Sequence, residues 1–287
     1  MRIGVVFPQR EIGDDPAVIR DFAQTAEGLG YHHLLAFDHV LGAGRASRPD
    51  WRGPYDSEDA FHEPFVLFGH LAGLTARIEL VTGVLVLPQR QTALVAKQAA
   101  EVDVLSGGRL RLGVGVGWNR VEYEALGEDF HDRGRRIEEQ IALLRALWAE
   151  PVVDFTGRWH RVPDAGIKPR PVQRPVPIWL GGLADPVLRR VAAMGDGWFP
   201  QMPPGEQARE ALDRLRGYVT GAGRDPAAIG VEARVGVQQG EPRDWPAMID
   251  GWRELGATHL AVNPMDLGLS GAGHVRAIER WHRELVA

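Results

Sequence analysis

The stretch Leu105–Asn119, LSGGRLRLGVGVGWN, contains a helix end, a strand and the residues just beyond that strand. Ser106-Gly107-Gly108 closes the helical run Ala93–Leu105 as a C-cap glycine does. Leu110–Val116 then reads as a strand, with glycine at every second position through Gly113, Gly115 and Gly117. Glycine is unfavourable in a strand, because it forgoes side-chain packing and adds backbone freedom that folding must remove. A bare face here therefore answers a requirement: either a planar ligand lies close against the backbone, or the interior is too narrow for side chains. The pattern is not a dinucleotide loop, since G-x-G-x-x-G would need glycine where Trp118 stands and belongs on the first βα turn.

Outward from this segment, short apolar runs alternate with stretches of helical period. The strand-like runs are Ile3–Phe7, Leu34–Phe37, Ile78–Val84, Leu110–Val116, Pro177–Leu180, Gly197–Phe199, Val231–Val237 and His259–Val262. Between and after them, Ala17–Leu29, Pro64–Leu74, Ala93–Leu105, Arg133–Ala149, Pro186–Met194, Glu206–Val219, Trp245–Leu255 and Gly273–Val286 read as helices. Ile137, Ile141, Leu144 and Trp148 form the one-sided stripe of a helix packed on a sheet, and Pro151 stops it. Strands that each precede a helix predict an α/β fold, a closed (β/α)8 barrel over residues 1–287 as a single domain, with an open doubly wound sheet as the competing arrangement. Two insertions interrupt the alternation. Val40–His62, after the second strand, is long, rich in Gly and Pro, carries Trp51, Tyr55 and Phe61, and reads as a lid. Val152–Arg174, before the fifth strand, reads as a hairpin around Thr156-Gly157 followed by an extended approach.

Composition narrows the function. A net charge of −5 offers no basic field for nucleic acid, and 44% hydrophobic residues suffice for a large core. The absence of cysteine removes thiolate nucleophiles and zinc–sulfur sites. The amino-terminal MRIGVVFPQR enters a strand without a signal-like or spanning apolar segment, so a cytoplasmic protein with no membrane association is expected. Ten histidines are present, but His32 and His33 point to opposite faces of a strand and no H-E-x-x-H occurs, so no metal site is expected.

In a barrel, chemistry gathers at the carboxyl ends of the strands. Asp38-His39, Thr82-Gly83, Trp118-Asn119, Gly181-Gly182, Pro200 and Asn263 all fall there. Gly181-Gly182 leads into Asp185-Pro186 at a helix start, which would present free N–H groups to a phosphate.

At these residues the sequence resembles the luciferase-like flavin- and coenzyme F420-dependent oxidoreductases. The resemblance is carried by Asp38-His39, by Thr82–Trp148 with its core S-G-G-R-L…G-V-G-V-G-W-N, by AGIKPRPVQRPVPIWLGG at Ala165–Gly182, and by GDGWFP at Gly195–Pro200. It implies a barrel that binds F420, or alternatively FMN, at the carboxyl-end rim, with a non-proline cis bulge near Gly83-Val84 supporting the ring. It places His39 at the reactive face, with Asp38 beside it as the second catalytic candidate. The implied cofactor-binding set is Asp38, His39, Thr82, Gly83, Val84, Gly115, Val116, Gly117, Trp118, Asn119, Gly181, Gly182 and Leu183. Arg90 and Arg120 are candidates for an acidic cofactor tail. One departure is evident: where the sugar-phosphate dehydrogenases of the family carry a glutamate proton donor, Trp118 stands here, and their phosphate-gripping lysines have no counterpart. The expected activity is F420-dependent hydride transfer to or from a small organic substrate, in a homodimer. The alternatives are an FMN-dependent monooxygenase using reduced flavin and O2, and a non-catalytic cofactor-binding protein.

Overall fold

The computed structural model describes residues 1–286. In chain order its strands are β1 (Arg2–Val6), β2 (His33–Ala36), β3 (Glu79–Thr82), β4 (Leu85–Val86), β5 (Leu110–Gly115), β6 (Val153–Thr156), β7 (Arg161–Ala165), β8 (Ile178–Gly181), β9 (Gly197–Phe199), β10 (Gly230–Val235) and β11 (His259–Val262). The helices are α1 (Pro16–Leu29), α2 (Pro64–Ala72), α3 (Thr92–Ser106), α4 (Arg120–Ala125), α5 (Arg133–Ala149), α6 (Asp185–Met194), α7 (Glu206–Gly221), α8 (Trp245–Glu254) and α9 (Gly271–Trp281). Parallel pairing runs β1, β2, β3, β5, β8, β9, β10, β11 and returns to β1, which closes the barrel. An open sheet is thereby excluded.

The local signals read in the sequence act as anticipated. Gly107, at φ 69°, caps α3 through N–H bonds to carbonyls of its last turn. The stripe Ile137, Ile141, Leu144 and Trp148 is buried, and Trp148 Nε1 donates to Ala96 O at 3.0 Å, tying α5 to α3. Between Val152 and Arg174, β6 and β7 form the antiparallel hairpin. Two boundaries differ. The run Ile78–Val84 holds only β3, which ends at Thr82, with β4 following at Leu85–Val86, and the helix α4 was not anticipated, because six residues are too few to display a periodic stripe. Among the described residues no helix is long and apolar enough to cross a membrane.

The strand period of two separates two environments. Leu110, Leu112 and Val114 of β5 face the helices, while Arg111, Gly113 and Gly115 face the lumen. Low in the lumen, Arg111 Nη1 lies 2.5 Å from Glu232 Oε2 and its Nη2 lies 3.0 Å from Glu79, while His33 Nε2 lies 2.8 Å from Glu232 Oε1. His33 is thus a buried structural histidine. Leu35, Phe37, Val81, Trp179 and Phe199 fill the lumen above this layer. The open mouth lies beyond them.

Candidate active site

The glycines of β5 are explained by what stands opposite them. Leu80 pairs with Leu110 and Val81 with Arg111, but Leu85 pairs with Val114, so residues 82–84 lie opposite only 112 and 113. This is a bulge, it contains the cis peptide Gly83–Val84, and it pushes backbone and side chain into the mouth. A Cβ at Gly113 would collide with Thr82 O, one at Gly115 would come within 2.5 Å of Val84 Cγ2, and one at Gly117 within 2.6 Å of Val86 Cγ1. Gly181, from the neighbouring strand β8, meets Val84 Cγ1 at 2.8 Å in the same way. The strand is bare because it accommodates the bulge, and the narrow-interior reading accounts for Gly113. Thr82 does not reach the cavity; its hydroxyl donates to Gly113 O at 2.7 Å and pins the bulge to β5.

Beside the bulge is a cavity of about 380 Å³, bordered by Asp38, His39, Gly83, Val84, Gly115, Val116, Gly117, Trp118, Gly181 and Gly182, together with Tyr55, Gln201 and Arg234. Ten of the thirteen residues expected to bind cofactor converge on it. Asn119 instead borders an adjoining cavity of about 360 Å³ beneath the lid, and the exposed Leu183 borders neither.

His39 is held by a residue the sequence reading did not single out. Its Nδ1 lies 3.2 Å from Glu122 Oε2, and the Glu122 carboxylate also accepts from Val40 N at 2.7 Å, Leu41 N at 3.2 Å and Gln89 Nε2 at 3.3 Å. Burial alone would raise the Glu122 carboxyl, but the bonds and charge from His39 and the two backbone donors bring it below the ordinary glutamate value. A carboxylate can only accept, so Nδ1 is the donor in this contact, and the His39 ring also borders the cavity. Glu122 reaches this position through α4: Asn119 caps the helix by accepting from Val121 N at 3.1 Å, and Tyr123 donates to Val116 O at 2.7 Å. The available signal was Asn119-x-x-Glu122, an N-cap followed by an acid in the first turn.

Asp38, expected beside His39 as the second catalytic candidate, forms no hydrogen bond with it. Its carboxylate accepts from Val86 N at 2.9 Å and from Arg90 Nη2 at 2.7 Å, so it secures β4 at the edge of the cavity. Arg90 is correspondingly committed, to Asp38 and at 2.8 Å to Glu63, and is not a free cation at the rim. Arg120 is exposed, with its guanidinium 4.8 Å from the Phe130 ring.

The lid folds over the mouth. Phe61 and Tyr55 lie 4.8 and 5.0 Å from His39 between ring centroids, and Trp51 packs on Trp118 at 5.6 Å. At the other end, Gly182 has φ 133°, a conformation that favours glycine, and Trp198 Nε1 donates to its carbonyl at 2.8 Å. Helix α6 then begins at Asp185 with no side-chain cap on Ala184. The Asp185 carboxylate is held down by hydrogen bonds from Tyr218 and Arg189, so its charge is partly answered within the protein.

Luciferase-like monooxygenase is the family whose model matches residues 1–246. An uncharacterized protein of Mycobacterium tuberculosis is 37% identical over 198 residues, 67% of each chain. The FMNH2-dependent dimethylsulfone monooxygenase of Pseudomonas fluorescens is 31% identical over 220 residues, 75% of this chain and 56% of that protein. Among solved structures, monooxygenase RslO1 from Streptomyces bottropensis superposes with a TM-score of 0.83 at 20% identity, covering 100% of this chain and 99% of that one. The coenzyme F420-dependent tetrahydromethanopterin reductase of Methanopyrus kandleri gives 0.77 at 16% identity, covering 99% and 98%. At those identities the superpositions establish the barrel fold alone. With the bulge, the glycine strand and the matched residues 1–246 together, the chain belongs to the luciferase-like monooxygenase family.

Proposed function

We propose that the protein is an F420-dependent oxidoreductase acting on a small organic substrate. The observation that carries this reading is the His39–Glu122 pair at 3.2 Å on the wall of the cavity beside the Val84 bulge. The residues present fit such a group: Val84 offers an apolar platform against glycine backbone, and Gly182 with the uncapped start of α6 offers N–H donors to a phosphate. When bound, the deazaflavin would supply hydride chemistry at C5. Interconverting an alcohol and a carbonyl also moves a proton, and His39 Nε2, the ring nitrogen not bonded to Glu122, would take it from a hydroxyl and return it to a carbonyl oxygen. Glu122 fixes the tautomer and stabilises the imidazolium formed on proton uptake. Trp51, Tyr55 and Phe61 exclude water from that exchange.

An FMN-dependent monooxygenase using reduced flavin and O2 is the second reading, favoured by the 31% identity to the dimethylsulfone monooxygenase. Separate titration of the purified protein with F420 and with FMN distinguishes them. Binding of F420 at least about tenfold tighter than FMN, a difference of about 1.4 kcal/mol, supports the first. Tight FMN binding with no F420 affinity replaces it by the second.

A further inference from the structure

The inward face of β10 carries Glu232 and, two residues on, Arg234. Glu232 lies low in the lumen and is answered by Arg111 and His33. Arg234 stands one layer nearer the mouth and borders the cavity, its guanidinium 5.0 Å from the Phe37 ring centroid. Its buried Nε has no hydrogen-bond partner, and among the described residues the guanidinium forms no ion pair. The acids nearest the mouth are engaged elsewhere: Asp38 with Arg90, Glu122 with His39, and Asp59 and Asp266 with Arg10. A guanidinium whose Nε is buried without a partner and that has no counter-charge is an unfavourable arrangement for a fold to keep. Burial accordingly pulls the Arg234 pKa below the ordinary arginine value, with Tyr55 and Glu232 opposing the shift only in part.

Position indicates what the missing counter-charge belongs to. The bulge follows β3, and β10 stands opposite β3 in the ring of eight strands, with β9 between it and β8. A ring resting on Val84 would leave the space between itself and β10 for the second reactant. We propose that Arg234 is a specificity-determining residue that binds an oxyanion, carboxylate or sulfonate, on the substrate. This rests on the preceding reading for the side of the cavity occupied by the ring. The fork of N–H donors suits a pair of oxyanion oxygens, while Gln201 and Gln238, on the same cavity, can hydrogen-bond the rest of the molecule.

The test is calorimetric titration of the protein with benzoate, benzenesulfonate and the neutral benzamide. At least about tenfold tighter binding of one of the two anions than of benzamide is expected, with the tighter of the two naming the oxyanion. R234Q should abolish that preference, R234K should retain part of it, and both should bind F420 or FMN within about twofold of the wild type. Equal binding of benzamide and both anions by the wild type overturns the proposal, as does an anion preference that survives in R234Q. A cofactor affinity lowered more than about tenfold in R234Q also overturns it, because Arg234 would then serve the cofactor. Should R234Q fail to fold, the wild-type comparison and R234K still decide. An anion preference lost in R234Q, in a protein that binds neither cofactor, would uphold the oxyanion site and defeat the cofactor reading alone.

Discussion

Glu122 Oε2 lies 3.2 Å from Nδ1 of His39, although 83 residues separate them along the chain. On the proposed function, the contact divides the work between His39, which would exchange a proton, and Glu122, which would position it. His39→Ala should lower turnover by about a hundredfold, within the range for loss of a general acid or base, while cofactor affinity stays within about tenfold. Glu122→Gln keeps the size and the oxygen that accepts from Val40 N and Leu41 N, but removes the charge and the acceptor that faces His39 Nδ1 and Gln89 Nε2. It should lower kcat with little change in KM and alter the shape of the pH profile of kcat/KM. A profile unchanged in shape would make Glu122 a structural residue only.

Gly115 and Val84 occupy one space from two strands. Gly115→Ala forces Val84 to move, which should cost about 1–3 kcal/mol as overpacking and weaken cofactor binding by displacing the platform. Val84→Ala frees the volume the new methyl needs. The double substitution should therefore lose less stability than the two single ones summed, by at least about 0.5 kcal/mol in urea denaturation. Additive losses would show that the glycine answers something other than the bulge.

Arg90 and Arg120 follow barrel strands in similar positions but should behave differently. Asp38 is buried and paired with Arg90, so Arg90→Ala leaves a carboxylate without its counter-charge and should destabilise the fold by about 3–5 kcal/mol. Arg120 is exposed, and Arg120→Ala should leave stability unchanged within about 0.5 kcal/mol. If an acidic cofactor tail passes Arg120, binding should weaken by about 0.2–1 kcal/mol at low salt and by less at high salt. Chemical denaturation and cofactor titration at two ionic strengths separate these outcomes.

The base of the lumen should make the protein acid-sensitive. Burial would raise Glu232, but Arg111 and His33 hold it at about 2, so its stabilising contribution is complete above about pH 4.5 and disappears as pH falls through about 2. His259 is pushed down to about 3, first by burial and then by the charge of Arg111. Below about pH 6.5 the unfolded chain takes up a proton that folded His259 refuses, so stability falls as pH drops from there toward 3. Both effects have the same sign. His259→Asn should reduce proton uptake on unfolding at pH 5 by about one, read as a flatter pH dependence of stability from urea denaturation. An unchanged slope would mean that His259 titrates normally in the folded protein.

Local patterning along the chain was enough to specify the barrel. Period-two and helical patterns report which face of a segment is buried, and that is settled within about ten residues, so the eight strands, the hairpin and the lid could be read without a partner in view. The matched blocks also indicated the bulge at Gly83-Val84 and the glycines that converge on the cavity. What each polar group touches depends on the closed barrel. Asp38 and Glu122 were both acids beside rim elements, and only the closed barrel with its inter-strand register sends the first to Arg90 and the second to His39. Gly115 looked like space for a ligand until the residue offset between β3 and β4 put Val84 into it. Arg234 showed no sign in a strand of ordinary appearance, because an arginine's counter-charge comes from other strands and its absence is visible only when all of them are in place.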